Sequence, residues 1–380
     1  MLESLARQHG FISAGSVSLI QLKKLLSKKF SSTEKILENL PENTESLLVF
    51  FHPYPPGGNP GFSDYSGRIK IARFTWMVDY HHILKDKLKS IAGRLTELSG
   101  AEHVWWGSDN HPLPEKELAE MAGLGAKGKN SLLITSKGGS LGFLGIIASP
   151  IEIDREGKDK NIAGSSDKLE EYCQKCGLCI KHCPVDALME EDGQVNRSLC
   201  ISSLTQQRGK MQWSLAETME NHFWGCDICQ NVCPFNRSVS TAEICQKISS
   251  FPLQMWPSVE DLEVKKILQL FDRDLSTEWE RYVFSWQGSR ILVRNLLIVL
   301  GNNGIPVYED IIENISCSRS PVLRYFACYC LYRWKWQIDK RLANNFLEER
   351  ASLENDEENA GYFRTVANCR EEFIDAGCNY

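Results

Sequence analysis

No cysteine occurs among the first 172 residues of this 380-residue chain, yet fourteen follow. That asymmetry confines thiol chemistry to the chain after residue 172. No apolar run approaches the roughly 18 residues needed to span a bilayer. The opening residues, MLESLARQHGF, carry neither a basic-then-apolar leader nor a twin-arginine pair. These absences predict a soluble, cytoplasmic protein in which thiols stay reduced. A positive surplus is missing too: the net charge is −6, so charge balance alone does not suggest a nucleic-acid binder. The Gly128-Lys129 step is not a phosphate-binding P-loop, because that motif needs Ser or Thr after the lysine and Asn130 stands there. Apolar and charged fractions of 42% and 24% are ordinary for a globular protein.

What is present is a dense cysteine segment. Cys173-x2-Cys176-x2-Cys179-x3-Cys183-Pro184 is followed by Cys200 and then by Cys226-x2-Cys229-x3-Cys233-Pro234. The first run has the spacing of bacterial 4Fe-4S ferredoxins, in which the cysteine before proline ligates the other cluster. By that crossing rule, Cys173, Cys176, Cys179 and Cys233 hold cluster one, and Cys183, Cys200, Cys226 and Cys229 hold cluster two. Zinc or buried free thiols are the alternatives. Zinc sites are usually built from paired motifs rather than a triple C-x2-C-x2-C. The other six cysteines show no disulfide-framework spacing. Electron transfer is the implied chemistry.

Around that segment the chain divides into three predicted parts. Residues 1–165 mix strands and helices, an α/β or α+β domain. Ser46–Phe51 reads as a buried strand, and Tyr80–Leu98 as a helix with Leu84, Leu88, Ile91 and Leu95 on one face. Glu115–Ala122 reads as a short helix, and Leu132–Ile134 and Phe143–Ser149 as strands about a Gly138-Gly139 turn. Residues 155–170 read as a linker. Residues 166–245 form a ferredoxin-like two-cluster domain. Residues 246–380 read as amphipathic helices (Val259–Phe271, Arg290–Leu300, Tyr308–Ile315, Val322–Trp334), paired in the manner of HEAT-like repeats. Beyond Glu348 the acidic tail reads as loosely folded. From Arg281 to Arg341 there are nine Lys/Arg against four Asp/Glu; from Leu342 onward there are three against nine. The basic stretch is either a phosphate-facing surface or an ordinary solvated helical face.

Several further segments occur in order: Ala72-Arg73-Phe74 with Asp79-Tyr80-His81; Asp109 through Pro112 to Glu115; Ala119-Glu120-Met121-Ala122-Gly123-Leu124-Gly125 with Gly128-Lys129; Gly139-Ser140 with Phe143-Leu144-Gly145; Cys200-Ile201-Ser202 with Leu204-Thr205; Gly225-Cys226-Asp227; and Arg294-Asn295 with Leu300-Gly301-Asn302. In these segments the chain resembles the epoxyqueuosine reductases, cobalamin-dependent tRNA-modifying enzymes. The match runs from about residue 65 to 340. Asn110, His111, Ala126, Ile146, Ser203 and Gln206-Gln207 depart from the family pattern around the substrate pocket, and the family's G-M-x-W-M segment is absent.

The resemblance implies an α+β protein: an N-terminal cobalamin-binding α/β domain, a two-cluster ferredoxin-like domain and C-terminal helical repeats. It implies base-off cobalamin, fed with electrons through cluster one and then cluster two. The substrate would be tRNA with a GUN anticodon, met at the anticodon stem-loop. An external low-potential donor would supply the electrons to a monomer that needs no membrane. Asp109 would donate a proton to the leaving oxygen. Arg73, Asp109, Leu133, Ser140, Leu144, Ser202, Gly225 and Asp227 are the expected cobalamin contacts. Arg290, Arg294, Arg324 and Arg333 are the expected tRNA contacts. Asp109-x-His111-x-x-Pro114 approaches the D-x-H-x-x-G motif of axial-histidine cobalamin enzymes, but proline replaces its glycine. Two competing readings are a related cobalamin reductase acting on a small molecule, such as a reductive dehalogenase, and a non-catalytic electron carrier.

Overall fold

The computed structural model describes residues 2–29, 37–54, 69–75, 79–153, 169–189, 193–237, 239, 263–275, 282–304 and 306–368. The chain forms two compact units, each drawn from separated stretches. The first takes the described residues of Met1–Gly58, Met77–Asn196 and Asp227–Gln254. The second takes those of Asn59–Trp76, Arg197–Cys226 and Met255–Tyr380.

The first unit is built on a four-stranded antiparallel sheet ordered Ser13–Ser18, Ser46–Pro53, Gly142–Ser149, Trp106–Gly107. The strand Ser46–Pro53 is buried along its whole length, which is why it reads as an unbroken apolar run rather than an alternating one. Leu47, Val49 and Phe51 face one core with Leu22, Leu26, Leu118, Ile146 and Ala148. On the opposite face Gly145 lies against Leu88 of the helix Tyr80–Ser99. Asp79 caps that helix by accepting from His81 N, and Gly100 closes it in the left-handed conformation with its amide on Thr96 O. Its buried stripe of Leu84, Leu88, Ile91 and Leu95 matches the predicted face. The Gly138-Gly139 turn forms at its expected place. Gly139 has φ +57, and a Cβ there would stand 2.2 Å from Asn236 Oδ1, so only glycine fits.

The second unit is helical around a small parallel pair, Lys70–Ile71 with His222–Trp224. Its core wraps Ser289–Asn303, twelve of whose fifteen residues are buried, and Pro321–Ile338. Trp213 sits among Tyr325, Tyr329, Tyr332, Tyr362 and Phe363. Of the predicted helix Val259–Phe271, the described part is Val264–Leu268 with a 3-10 turn at Gln269–Asp272. The expected linker lies largely outside the described residues.

The acidic tail departs from expectation. Lys340–Leu353 and Glu357–Asn368 are helices. Ala343, Phe346, Leu347 and Ala351 make one apolar stripe, and Ala360, Phe363, Val366 and Ala367 make another. The surplus of carboxylates conceals two ordinary amphipathic patterns whose apolar faces complete the helical core.

Candidate functional site

Two chemistry-bearing places lie in the first unit. One is a cavity lined by Cys173, Cys176, Cys179 and Cys233, with Lys129, Asn130, Ile134, Leu178 and Phe235 completing its wall. The helical segment ending at Cys176 gives way to Gly177 at φ +63, and that left-handed turn starts the helix Leu178–Lys181. This brings the second and third thiols to the same hollow. Cys233 arrives from the far end of the cysteine segment. Burial pushes the Cys179 thiol up to about 11, with Cys173 and Cys233 adding repulsion. Burial likewise raises Cys233, and Cys173 and Cys176 contribute. Lys129 N donates toward Cys173 Sγ at 3.4 Å.

Among the described residues no three His, Cys, Asp or Glu side chains converge as they would on a single ion. The thiols instead line a hollow. A cubane fits such a donor set, because each thiolate takes a different corner. Lys129 and Asn130, which do not make a nucleotide motif, serve as cavity wall, a role that nothing in their local sequence signals.

Of the other four cysteines, Cys183 and Cys229 belong to the first unit and Cys200 and Cys226 to the second. Ala187 N donates to Cys183 Sγ at 3.3 Å. Cys200 precedes the helix Ile201–Gln206 as its N-cap residue, and Cys226 follows Gly225, a glycine at φ +69.

The second place is the Asp109 loop. Asp109 adopts φ +58, uncommon for a non-glycine residue. Its side chain is about half exposed (52%). Tyr80 OH donates to Asp109 Oδ2, and the Asp109 amide donates to Glu115 Oε1 at 2.9 Å. His81 Nε2 stands 3.9 Å from the same Asp109 oxygen, while His81 Nδ1 meets Asp79 at 2.6 Å. Tyr80 is stacked on Phe143 at 3.9 Å. Burial, reinforced by the Asp109 carboxylate, holds the Tyr80 phenol above its ordinary range, so it stays a donor. Burial lowers His81, but its bond to Asp79 and the charges of Asp79, Asp109 and Glu115 together outweigh this, and the imidazole ends above its ordinary value. Burial chiefly, with Asp109 beside it, raises Glu115. A carboxyl presented to solvent, backed by a phenol and an imidazole, can accept or hand on a proton, which fits a group arriving from the open side.

Tyr80 and His81 are not among the expected site residues; their meeting with Asp109 across 29 and 28 residues leaves no local signal. His111 is inward-facing: Nδ1 accepts from Leu113 N, Nε2 lies 3.0 Å from Glu115, and its side chain is 4% exposed.

The remaining predicted residues scatter by role. Leu133 and Leu144 are buried in the sheet core. Ser140 is buried, its amide on Asn236 Oδ1 at 2.7 Å. Ser202 O accepts from Thr205 and Gln206, Asp227 Oδ1 accepts from Gln230, and Arg73 begins a 3-10 turn.

Among the arginines expected to meet tRNA, Arg290 is exposed. Arg324 Nε donates to both Glu354 oxygens at 2.9 and 3.0 Å, with Nη2 donating to Oε1 as well, and Arg333 pairs with Glu217. Arg294 has no exposed surface and holds the carbonyls of Leu204, Thr205, Gln207 and Gly209. It is therefore not a phosphate contact. Trp334 is likewise core, bonded to Leu300 O.

A thiol-lined cavity within a run of eight closely spaced cysteines defines an iron–sulfur electron-transfer protein. Residues 172–236 match the family described as "4Fe-4S double cluster binding domain", and residues 36–110 match "Epoxyqueuosine reductase QueG, DUF1730". An epoxyqueuosine reductase of Lactococcus garvieae is 31% identical over 281 residues, covering 72% of this chain and 74% of that one. One from Listeria monocytogenes is 31% identical over 291 residues, covering 75% and 70%. The fold is that of the epoxyqueuosine reductase structure from Streptococcus thermophilus, with TM-score 0.75 at 24% identity over 96% of this chain and 97% of that one. It is also that of an epoxyqueuosine reductase solved with a tRNA-Tyr epoxyqueuosine-modified stem loop, with TM-score 0.69 at 23% identity over 95% and 96%. The chain belongs to the epoxyqueuosine reductase family. No helix among the described residues is long and apolar enough to cross a membrane.

Proposed function

We propose that this protein reduces epoxyqueuosine to queuosine at the wobble position of tRNA with a GUN anticodon, the last step of queuosine biosynthesis. Two C–O bonds of the epoxide break, the carbon–carbon bond becomes double, and the oxygen leaves as water, consuming two electrons and two protons. Asp109 is the proton donor. The observation that carries this role is its half-exposed carboxyl, held by Tyr80 and flanked by His81. Tyr80 orients the carboxyl and the raised His81 resupplies its proton.

Cobalamin, implied by the resemblance to the family, would supply two-electron reducing chemistry at carbon when bound. Its contacts are proposed at Arg73, Asp109, Leu133, Ser140, Leu144, Ser202, Gly225 and Asp227. The inward-facing His111, engaged with Leu113 and Glu115, is not assigned as an axial ligand. Electrons enter from an external low-potential donor. Cluster one is assigned to Cys173, Cys176, Cys179 and Cys233, supported by their shared cavity. Cluster two is assigned to Cys183, Cys200, Cys226 and Cys229 on spacing. The C-terminal helices are read as HEAT-like repeats that grip tRNA, with exposed Arg290 the best-supported contact and the paired Arg324 and Arg333 secondary.

The test is anaerobic turnover on epoxyqueuosine-containing tRNA against the free modified nucleoside. Conversion of the tRNA with loss of one oxygen by mass is expected. Preference for the free nucleoside would favour the small-molecule reading instead.

A further inference from the structure

Arg294 poses a physical problem. It is a fully buried cation, lowered by desolvation to about 10, and its hydrogen-bond partners among the described residues include no carboxylate. Charges are rarely buried without something to compensate them. Here the compensation is a set of backbone carbonyls. Nη2 donates to Leu204 O at 3.0 Å and Thr205 O at 3.2 Å; Nη1 donates to Gln207 O and to Gly209 O at 3.3 Å. Asn295 Oδ1 accepts from Nε and Nη2 at 3.0 and 2.7 Å. Asn295 Nδ2 then donates to Thr205 O at 2.7 Å and to Phe223 O at 2.9 Å.

These carbonyls cluster at the C-terminal end of the helix Ile201–Gln206, where the last turn leaves C=O groups without helical partners. An arginine is suited to such an end, because its fork reaches several oxygens at once. The same short helix begins at Cys200, whose carbonyl accepts from Leu204 N at 2.9 Å. Its Thr205 Oγ1 accepts from Gly225 N at 2.9 Å, one residue before Cys226. Phe223 O, the other carbonyl held by Asn295, lies in the strand leading to the same cysteine. Gly225 tolerates no side chain, since its φ is +69 and a Cβ there would meet Ala72 and Phe74 within 2.7 Å. One arginine–asparagine pair from the helix Ser289–Asn303 thus clamps both cysteine-bearing segments of the second unit.

We propose that Arg294 and Asn295 are positioning residues for the thiolates of Cys200 and Cys226, fixing the second cluster through the backbone that carries its ligands. The inference rests on the cluster assignment given above. It gives the arginine–asparagine step of the helical module a role in electron transfer.

The experiment uses full-length protein, reconstituted anaerobically, as wild type, Cys200→Ala, Arg294→Lys and Thr205→Val. Iron and sulfide content and the electron paramagnetic resonance signals of both clusters under potentiometric titration are the readouts. Lysine keeps the charge but cannot fork over four carbonyls. Valine keeps the shape of Thr205 but removes the acceptor for Gly225. Arg294→Lys is expected to fall from about eight irons toward about four, losing the same signal as Cys200→Ala and keeping the other. Thr205→Val, the milder change, is expected to retain iron but shift or broaden that signal alone. Unchanged spectra and iron in the folded variants overturn the proposal. Equal loss from both clusters, as general destabilisation would give, also overturns it. If Arg294→Lys does not fold, Thr205→Val decides by the same criteria. Wild-type protein without two clusters would instead fault the cluster assignment.

Discussion

Asp109 and Arg294 are charged side chains drawn from motifs of similar quality, and the two units treat them in opposite ways. In the first unit Asp109 stands on a positive-φ loop with half its surface open, touching a phenol and lying near an imidazole. In the second, Arg294 has no surface and meets carbonyl oxygens and an amide. On the proposed roles, the charge that reacts is kept near solvent on strained backbone, and the charge that organises is buried and fully bonded. Motif membership alone does not distinguish these cases; burial and partners do.

The largest effect expected from breaking this contrast is at Asp109. Asp109→Asn cannot supply a proton, so turnover should fall by roughly two to four orders of magnitude, with both clusters intact by their spectra. Near-normal turnover would remove the proton-donor role.

A comparable but purely structural loss is expected in the second unit. Phe326 is fully buried in the helical core, and Phe326→Ala should cost about 3–5 kcal/mol through lost burial and the cavity left behind. Chemical denaturation monitored by circular dichroism would measure it. A change below about 1 kcal/mol would mean that the core repacks or is looser than described.

Removing the support of Asp109 should do less. Tyr80→Phe deletes one hydrogen bond to a carboxylate, worth about 1.5–3 kcal/mol, so turnover should drop by roughly ten- to a hundredfold while cluster content holds. No effect on turnover would leave Tyr80 as a packing residue against Phe143.

His81 sharpens the comparison through pH. Its folded value lies above its ordinary one because the Asp79 bond and the charges of Asp79, Asp109 and Glu115 together outweigh burial. The stability it contributes is therefore fully present below about pH 6.5 and is lost as pH rises through the folded value. Urea midpoints across that window should fall for wild type and stay flatter for His81→Gln. Parallel curves would remove the raised value.

The smallest effect is at Arg290. Arg290→Glu should weaken stem-loop binding and lower its salt slope by about one or more phosphate contacts, leaving iron content untouched. A slope equal to wild type would move the RNA surface elsewhere.

Much of this molecule is readable from its sequence, for reasons that are local. The helix Tyr80–Ser99 is legible because its stripe repeats every three or four residues and Gly100 ends it. The strand Ser46–Pro53 is legible from its apolar run, and the double-cluster segment from its cysteine spacing. What escapes is long-range. Arg294 meets residues 85 to 90 positions earlier, so its helix gives no sign that it is buried. Tyr80 and Asp109 meet across a sheet edge and a loop. The tail misleads because its carboxylates dominate composition while Phe346, Leu347, Phe363 and Val366 decide packing.

The central claim is reduction of epoxyqueuosine in tRNA with Asp109 supplying the proton. It is tested most directly by mass spectrometry of the modified nucleoside after anaerobic incubation of an epoxyqueuosine-bearing anticodon stem-loop with the cobalamin-loaded, two-cluster protein and a strong reductant. The account predicts loss of one oxygen atom with wild type and near-zero conversion with Asp109→Asn of equal iron and cobalamin content. Equal conversion by both, or none by a wild-type protein carrying its full cofactors, would contradict it.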